Sequence, residues 1–240
     1  MSNILHRSLM GSSYSSFAIE ALEDGLTVTF SNNNYLNYKI EGGTWTMLPY
    51  NVATPSINAG QRIYFKTQVQ RTVSTNGIGT FSINKRCNIV GKINDLFPMW
   101  DFPQYGGSRM FYRLFYNCNK IVKVDNDLLK DIALSNDSFE EMFYGCSSMI
   151  NAPELYAQVS VEGCYKAMLK NCSSLQTLKM HLKDISATDC VTNMLENAGV
   201  GDGKTLTVYV TNEVYSIRSE FSSKAKITSS TSDVVTITKM

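Results

Sequence analysis

The sequence predicts an α+β fold, in which a small N-terminal β-sandwich is followed by a short solenoid of helix-turn-strand units. Two observations support this prediction: a motif that returns four times between residues 112 and 199, and a run of short alternating strands before it. With 240 residues, of which 43% are hydrophobic, the chain can form one or two domains with a real core. The predicted parts are an arm (1–17), a β-sandwich-like domain (18–92), a junction (93–108) and the solenoid with a C-terminal β cap (109–240).

The repeat is visible in the spacing of equivalent residues. Cys118, Cys146, Cys172 and Ala198 follow one another at steps of 28, 26 and 26 residues. A unit of this length cannot bury its own apolar face, so neighbouring units must stack. Within a unit, apolar residues four positions apart, such as Leu114 and Cys118, predict the buried face of a short helix. Alternating runs that predict strands follow at 121–124, 175–178 and 206–210.

The first part of the chain has a different pattern. Short runs in which apolar and polar residues alternate are separated by turn residues such as Gly42-Gly43 and Asn58-Ala59-Gly60. This regular spacing is typical of a small β-sandwich. The predicted strands are 26–30, 35–40, 44–48, 62–66, 80–83 and 88–91.

Five of the six cysteines belong to the repeat. Cys118, Cys146 and Cys172 share one position, and Cys164 and Cys190 share another. A thiol is small and weakly polar, so we interpret these residues as packing groups of a stacked core. No two cysteines have the close spacing of zinc sites and the chain has two histidines, so no metal or other cofactor is predicted. Oxidation of stacked neighbours to disulfides remains an open alternative.

One stretch of the repeat resembles a known family. It reads FYGCSSM at 143–149, APEL at 152–155 and GCY at 163–165. Over about 109–200 the chain is similar to the BspA-like leucine-rich repeat family. It departs from the family pattern in the first repeat, which lacks the Ala-Pro-x-Leu turn, at Leu169, which replaces phenylalanine, and at Ala198-Gly199, which replaces Cys-Ser. The resemblance implies a leucine-rich-repeat solenoid and a role in recognition or structure. Members of the family occur on bacterial surfaces, where they are associated with adhesion, and in tailed phages.

These observations predict a non-enzymatic structural or attachment protein of a tailed-phage particle surface, such as a head fibre or capsid decoration. The alternative is a bacterial cell-surface adhesin that binds a host protein or glycan. The first residues lack the apolar core of a secretory signal, which favours a virion protein made in the host cytoplasm. A net charge of +1 gives no bulk attraction to nucleic acid or anionic membrane, and no run is long enough to span a bilayer.

No catalytic residues are predicted, because His6 and His181 offer little material for a nucleophilic pair. Two binding sites are predicted instead. In the arm, apolar residues are expected to bury against other virion proteins or in a homo-oligomer: Ile4, Leu5, Leu9 and Met10. Three tyrosines are a possible glycan platform, although the first two share a repeat position and could instead pack together: Tyr116, Tyr144 and Tyr156.

Overall fold

The computed structural model describes residues 16–31, 36–67, 77–97, 108–227 and 235–240. These parts contain three β-sheets and two short α-helices. The strands are β1 (Ala18–Ala21), β2 (Val28–Phe30), β3 (Leu36–Ile40), β4 (Thr46–Leu48), β5 (Arg62–Thr67), β6 (Phe81–Ile83), β7 (Cys87–Val90), β8 (Ile121–Val124), β9 (Thr177–Met180), β10 (Leu206–Val210) and β11 (Val235–Lys239). The helices are α1 (Asn212–Ser216) and α2 (Arg218–Lys224), and single 3₁₀ turns cover Ile93–Leu96 and Asn126–Leu129.

The largest sheet has six strands in the order β4-β3-β5-β1-β7-β8. Adjacent strands in this sheet are antiparallel, except for β7 and β8, which are parallel. The strands predicted between residues 26 and 91 are present, but they do not form a self-contained sandwich. The sheet takes its last strand, β8, from the repeat region, so both parts of the chain share one sheet and one hydrophobic cluster.

The two-stranded sheet β2-β6 contributes aromatic residues to this shared core. The Phe30 and Phe81 rings lie 4.7 Å apart, and Phe81 also contacts Phe17 at 5.9 Å. Phe17 is the last residue of the predicted arm, yet it is fully buried. Residues 1–15 of that arm, with the four apolar residues predicted to dock, lie outside the described residues.

The predicted solenoid of helix-turn-strand units is wrong. The ten-residue segments 109–118, 137–146, 163–172 and 189–198 hold the recurring motif, and no helix occupies any of them. In the described chain the only α-helices are α1 and α2, which follow the last of these segments. We call the segments rungs and their stack the turn ladder.

Each rung is a series of overlapping four-residue turns. In the first rung, amide N–H groups donate to the carbonyl three residues earlier, as from Leu114 to Phe111 at 3.2 Å. Every fourth residue has a positive φ, namely Arg109, Arg113 and Asn117. A right-handed helix cannot contain such residues, because its φ is negative throughout. The four-residue spacing of buried side chains therefore comes from turns rather than from helix.

The alternate amides of each rung bond to the next rung. Phe115 donates to the carbonyl of Met142 at 2.9 Å, Phe143 donates to Met168 at 3.0 Å, and Leu169 donates to Met194 at 3.1 Å. Because the same bond recurs from one rung to the next, the rungs stack in register. The backbone is thus satisfied within and between rungs without a helix or a regular sheet.

The core side chains form columns along the ladder. One column consists of buried Leu114, Met142, Met168 and Met194. A second column stacks aromatic rings, with Phe115 and Phe143 centred 5.2 Å apart and inclined by 9°. The stack of rungs is thus held by burial of apolar surface as well as by backbone hydrogen bonds.

The chain covers both ends of the ladder with its own residues. At one end Phe81 stacks on Phe115 at 5.4 Å, and Phe97 contacts Phe111 at 6.0 Å. Most of the predicted junction, residues 98–107, lies outside the described residues. At the other end the carbonyls of Lys224, the last residue of α2, and of Ala225 accept from the last rung. Terminal units of stacked proteins need such covers to hide apolar surface.

Strands follow the rungs on the opposite side. β9, β10 and β11 form a parallel sheet. Ile150 and Asn151 join it to the large sheet, because Ile150 donates to Val122 at 3.0 Å and Asn151 pairs with Thr177. We call the resulting surface, from β7 to β11, the strand side.

The left-handed rung positions give a mutational test. Ala167 is non-glycine at φ 49°, where an L residue carries strain of about 1–2 kcal/mol. In Ala167→Gly this relief offsets the entropic cost of glycine, about 0.5–1 kcal/mol, and the loss of a buried methyl, about 0.8 kcal/mol, so chemical denaturation should show little change in stability. If residue 167 lay inside a helix, Ala167→Gly would instead lower the free energy of unfolding by about 1 kcal/mol. The control is Ala198→Gly, a buried position without positive φ, which should lose about 1–2 kcal/mol.

Candidate functional site

The exposed side of the turn ladder carries a column of equivalent residues. The rings of Tyr116 and Tyr144 are stacked 4.9 Å apart at 15°. Lys170 Nζ lies 5.9 Å from the Tyr144 ring centroid and 2.9 Å from the Glu196 carboxylate. Arg113 lies over the Tyr116 ring at 4.7 Å. These tyrosine faces are used in contacts between rungs, so the column holds the ladder together.

Ion pairs run along the same side. Arg113 Nε lies 2.5 Å from Glu141, and Arg109 Nη2 lies 3.1 Å from Glu140 Oε2. Lys166 Nζ is 3.9 Å from Glu140 and 3.3 Å from Asp189. Glu140 is only 8% exposed, and burial raises the pKa of its carboxyl above the ordinary 4.5 although Arg109 opposes the shift.

The direction of this shift predicts a pH-dependent effect of Glu140→Gln. A raised folded-state pKa means that ionised Glu140 costs stability above that pKa, and that the cost vanishes below the unfolded value near 4.5. We expect the variant to be more stable than the wild type at pH 7 and equal to it below pH 4. Thermal unfolding across this range measures the difference. A variant that is less stable at pH 7 would show that the ion pairs outweigh burial.

A shallow groove of about 970 Å³ lies on the strand side. It follows β7 and β8 and ends near Asn151 and Thr177. Asn151 shapes its floor, because Nδ2 donates to the Val124 carbonyl at 2.6 Å and Oδ1 accepts from the Val124 amide at 3.3 Å. Most of the lining is polar, and includes Asn88, Lys92, Lys123, Asp125, Asn126, Asp127 and Gln176.

A cluster of titratable groups borders this groove at Asp127. The Tyr156 hydroxyl donates a hydrogen bond to Asp127, and the Tyr156 and His181 rings stack at 5.6 Å and 7°. His181 Nε2 lies 2.5 Å from Glu154 Oε1. Lys130 adds a cation 5.6 Å from the Tyr156 ring centroid. We call these five residues the Tyr156 cluster.

The electrostatics of the Tyr156–Asp127 pair fix the position of its proton. The hydrogen bond from Tyr156 lowers the pKa of the Asp127 carboxyl. Burial and the Asp127 carboxylate raise the pKa of Tyr156. At neutral pH the pair is therefore a phenol and a carboxylate, with the proton on Tyr156. This arrangement suits hydrogen bonding to a polar ligand, whereas an acid or base catalyst needs a pKa near the working pH.

All six thiols are free and buried. In the first three rungs the Sγ of Cys118, Cys146 and Cys172 donates to a phenylalanine carbonyl in the layer before, as from Cys146 to the Phe115 carbonyl at 3.2 Å. Burial raises the pKa of Cys118 and Cys172 to about 12. Since the thiolate is the reactive form, these residues act in packing, as the sequence predicted.

The predicted tyrosine platform is divided between two places. Tyr116 and Tyr144 stack on the exposed side of the turn ladder, which their shared repeat position had left as an alternative, whereas Tyr156 makes its contacts on the strand side. Sequence reasoning weighed His181 only as part of a nucleophilic pair and did not connect it with Tyr156. The signal available was their separation of 25 residues, close to one repeat.

Among the described residues no group of three or more His, Cys, Asp or Glu side chains is arranged to hold a metal. In the same residues no helix has the length and apolar character needed to cross a bilayer. Comparison with protein-family models, curated proteins and solved structures finds no match to this chain.

Proposed function

We propose that this chain is a non-enzymatic structural and attachment protein of a tailed-phage particle surface. The proposal rests on the turn ladder. Ion pairs and backbone hydrogen bonds join its neighbouring rungs, and other parts of the chain cover its two ends. Such a construction is a rigid support that displays a surface. The phage setting is supported by the repeat motif, which resembles that of BspA-like proteins.

The strand side is the surface that the ladder displays. Its groove has amide, ammonium and carboxylate groups on an open floor, and the Tyr156 cluster borders it. Shallow polar surfaces with a nearby aromatic ring suit recognition of a polar polymer better than enclosure of a reacting substrate. A bacterial adhesin would use the same surface, and the two settings differ in where the protein resides.

The test of the setting is immunogold labelling of purified particles with antibodies against this chain. The proposal predicts gold on the particle surface and the intact chain among the particle proteins by mass spectrometry. Label confined to the cell envelope of uninfected bacteria would overturn the phage setting in favour of the adhesin.

A deletion tests the predicted docking arm. The variant should lack residues 1–15 and retain Phe17, because that ring is fully buried in the core. Loss of Ile4, Leu5, Leu9 and Met10 is expected to leave the melting temperature unchanged and to abolish incorporation into particles or homo-oligomers. Native mass spectrometry and particle incorporation measure this, and assembly equal to wild type would exclude the arm as the docking element.

A further inference from the structure

A second surface cluster lies on the outer face of the six-stranded sheet. In this sheet Asn37 pairs with Met47 and with Lys66, and Lys39 pairs with Tyr64. Residues two apart on a strand share a face, so these side chains lie together. They lie opposite the core, because the intervening residues Leu36, Leu48 and Phe65 are buried.

Two ammonium groups in this cluster share one indole. Lys66 Nζ lies 4.2 Å from the Trp45 ring centroid and Lys39 Nζ lies 5.3 Å from it. Lys39 Nζ is also 5.2 Å from the Tyr64 ring centroid. Cation–π contacts at these distances hold long side chains in place, so the two cations are arranged in advance of any ligand.

Neither lysine has an acidic partner among the described residues, where no Asp or Glu oxygen lies within ion-pair distance of either Nζ. The sequence segments that adjoin these strands, 32–35 and 68–76, contain no Asp or Glu, and the second contains Arg71. This contrasts with the turn ladder, where Arg109, Arg113 and Lys166 are all paired. The outer face therefore carries two ammonium groups without an ion-pair partner, whereas Glu20 on the same face is paired with Arg62 and Glu41, two residues after Lys39, lies beyond ion-pair distance.

A third observation is a buried donor at the centre of the cluster. Asn37 is 1% exposed, and its Nδ2 has no hydrogen-bond partner within the described part of the chain. A buried donor without a partner is costly, and because Asn37 is covered, the ligand contacts of this face fall to its exposed neighbours. Trp45 beside it is 37% exposed and offers a flat apolar surface.

We propose that Lys39, Lys66 and Trp45 form a binding site for an acidic saccharide that carries carboxylate groups. The ammonium groups bind the carboxylate, and the exposed part of the indole packs against the apolar face of a sugar ring. The choice of a saccharide over other acids rests on the proposed attachment function, because surface polysaccharides are the polymers that an attachment protein meets.

The experiment is isothermal titration calorimetry of the full chain with tetragalacturonate. Binding is expected, with a parallel change in tryptophan emission that disappears in Trp45→Phe. Lys39→Gln and Lys66→Gln should each weaken binding about tenfold or more, because each removes one charge-assisted contact. Lys66→Arg should retain binding. Lys183→Gln, which makes the same charge change at an exposed residue elsewhere, should have no effect.

Three ligands distinguish the alternatives. Neutral maltotetraose should bind at least about tenfold more weakly than tetragalacturonate, because it cannot contact the ammonium groups as an anion. Equal binding of both sugars, equal loss in Lys183→Gln, or no binding of tetragalacturonate would overturn the site. Equal affinity for tetraglutamate would overturn the saccharide assignment in favour of an acidic peptide. Particle labelling is independent of these results, so the site can fail while the proposed function stands.

Discussion

Met168→Asp is expected to lower the free energy of unfolding by about 3–5 kcal/mol, since it places an unpaired charge in a dry core. Met168 is fully buried in the column between Met142 and Met194, and its neighbours there are apolar. Because β8 joins the repeat region to the large sheet, the loss should appear as one cooperative transition of the whole chain. Urea denaturation followed by circular dichroism measures both the midpoint and the cooperativity.

The matched control for this variant is Val159→Asp. Val159 is 69% exposed, so the same kind of substitution should change stability by no more than about 0.5 kcal/mol. If Met168→Asp has an unchanged melting curve, the buried column is wrong. If the β-rich first part unfolds separately, the shared core is wrong instead.

Gly199→Ala is the second large effect. Gly199 has φ +68°, and a Cβ there would lie 2.5 Å from Leu206 Cβ and 2.9 Å from the Leu175 carbonyl oxygen. The backbone strain of an L residue in this region costs about 1–2 kcal/mol. Crowding against a strand and a backbone oxygen should add about 1–3 kcal/mol. Equilibrium denaturation should therefore show a total loss of about 2–5 kcal/mol.

Gly42→Ala separates these two contributions. Gly42 has φ +77°, but no atom lies within 4 Å of its added Cβ, so it reports the backbone strain alone. The difference between the variants is the crowding where the last rung meets β10. Equal losses of stability in Gly199→Ala and Gly42→Ala would show that the chain around Gly199 is packed less tightly than in the structure.

The sequence predicted the period of the repeat and most of its strands because those features depend on which residues are buried. β8 and β10 have the predicted bounds, and the methionine column is buried as expected. The helix prediction failed because four-residue turns and a helix both place Leu114 and Cys118 on one face. The difference lies in the positive φ of Arg113 and its equivalents, and arginine does not signal that conformation as glycine does.

Some groupings of the candidate-site residues can be read from the sequence and others cannot. Tyr116 and Tyr144 could be placed together because they share a position in neighbouring repeats. Trp45 and Lys66 meet only because β3 lies between β4 and β5, and this strand order is not contained in any local pattern. Tertiary pairing of distant strands therefore decides where the outer-face cluster forms.

The central claim is that the recurring segments are rungs bonded to one another, and scalar coupling across hydrogen bonds tests it directly. In NMR spectra of isotope-labelled protein, the amide nitrogen of Phe115 should couple to the carbonyl carbon of Met142, and that of Phe143 to Met168, since these N···O distances are 2.9 and 3.0 Å. Coupling of the Phe115 amide to the Phe111 carbonyl, four residues earlier, would instead show a helix and contradict the turn ladder.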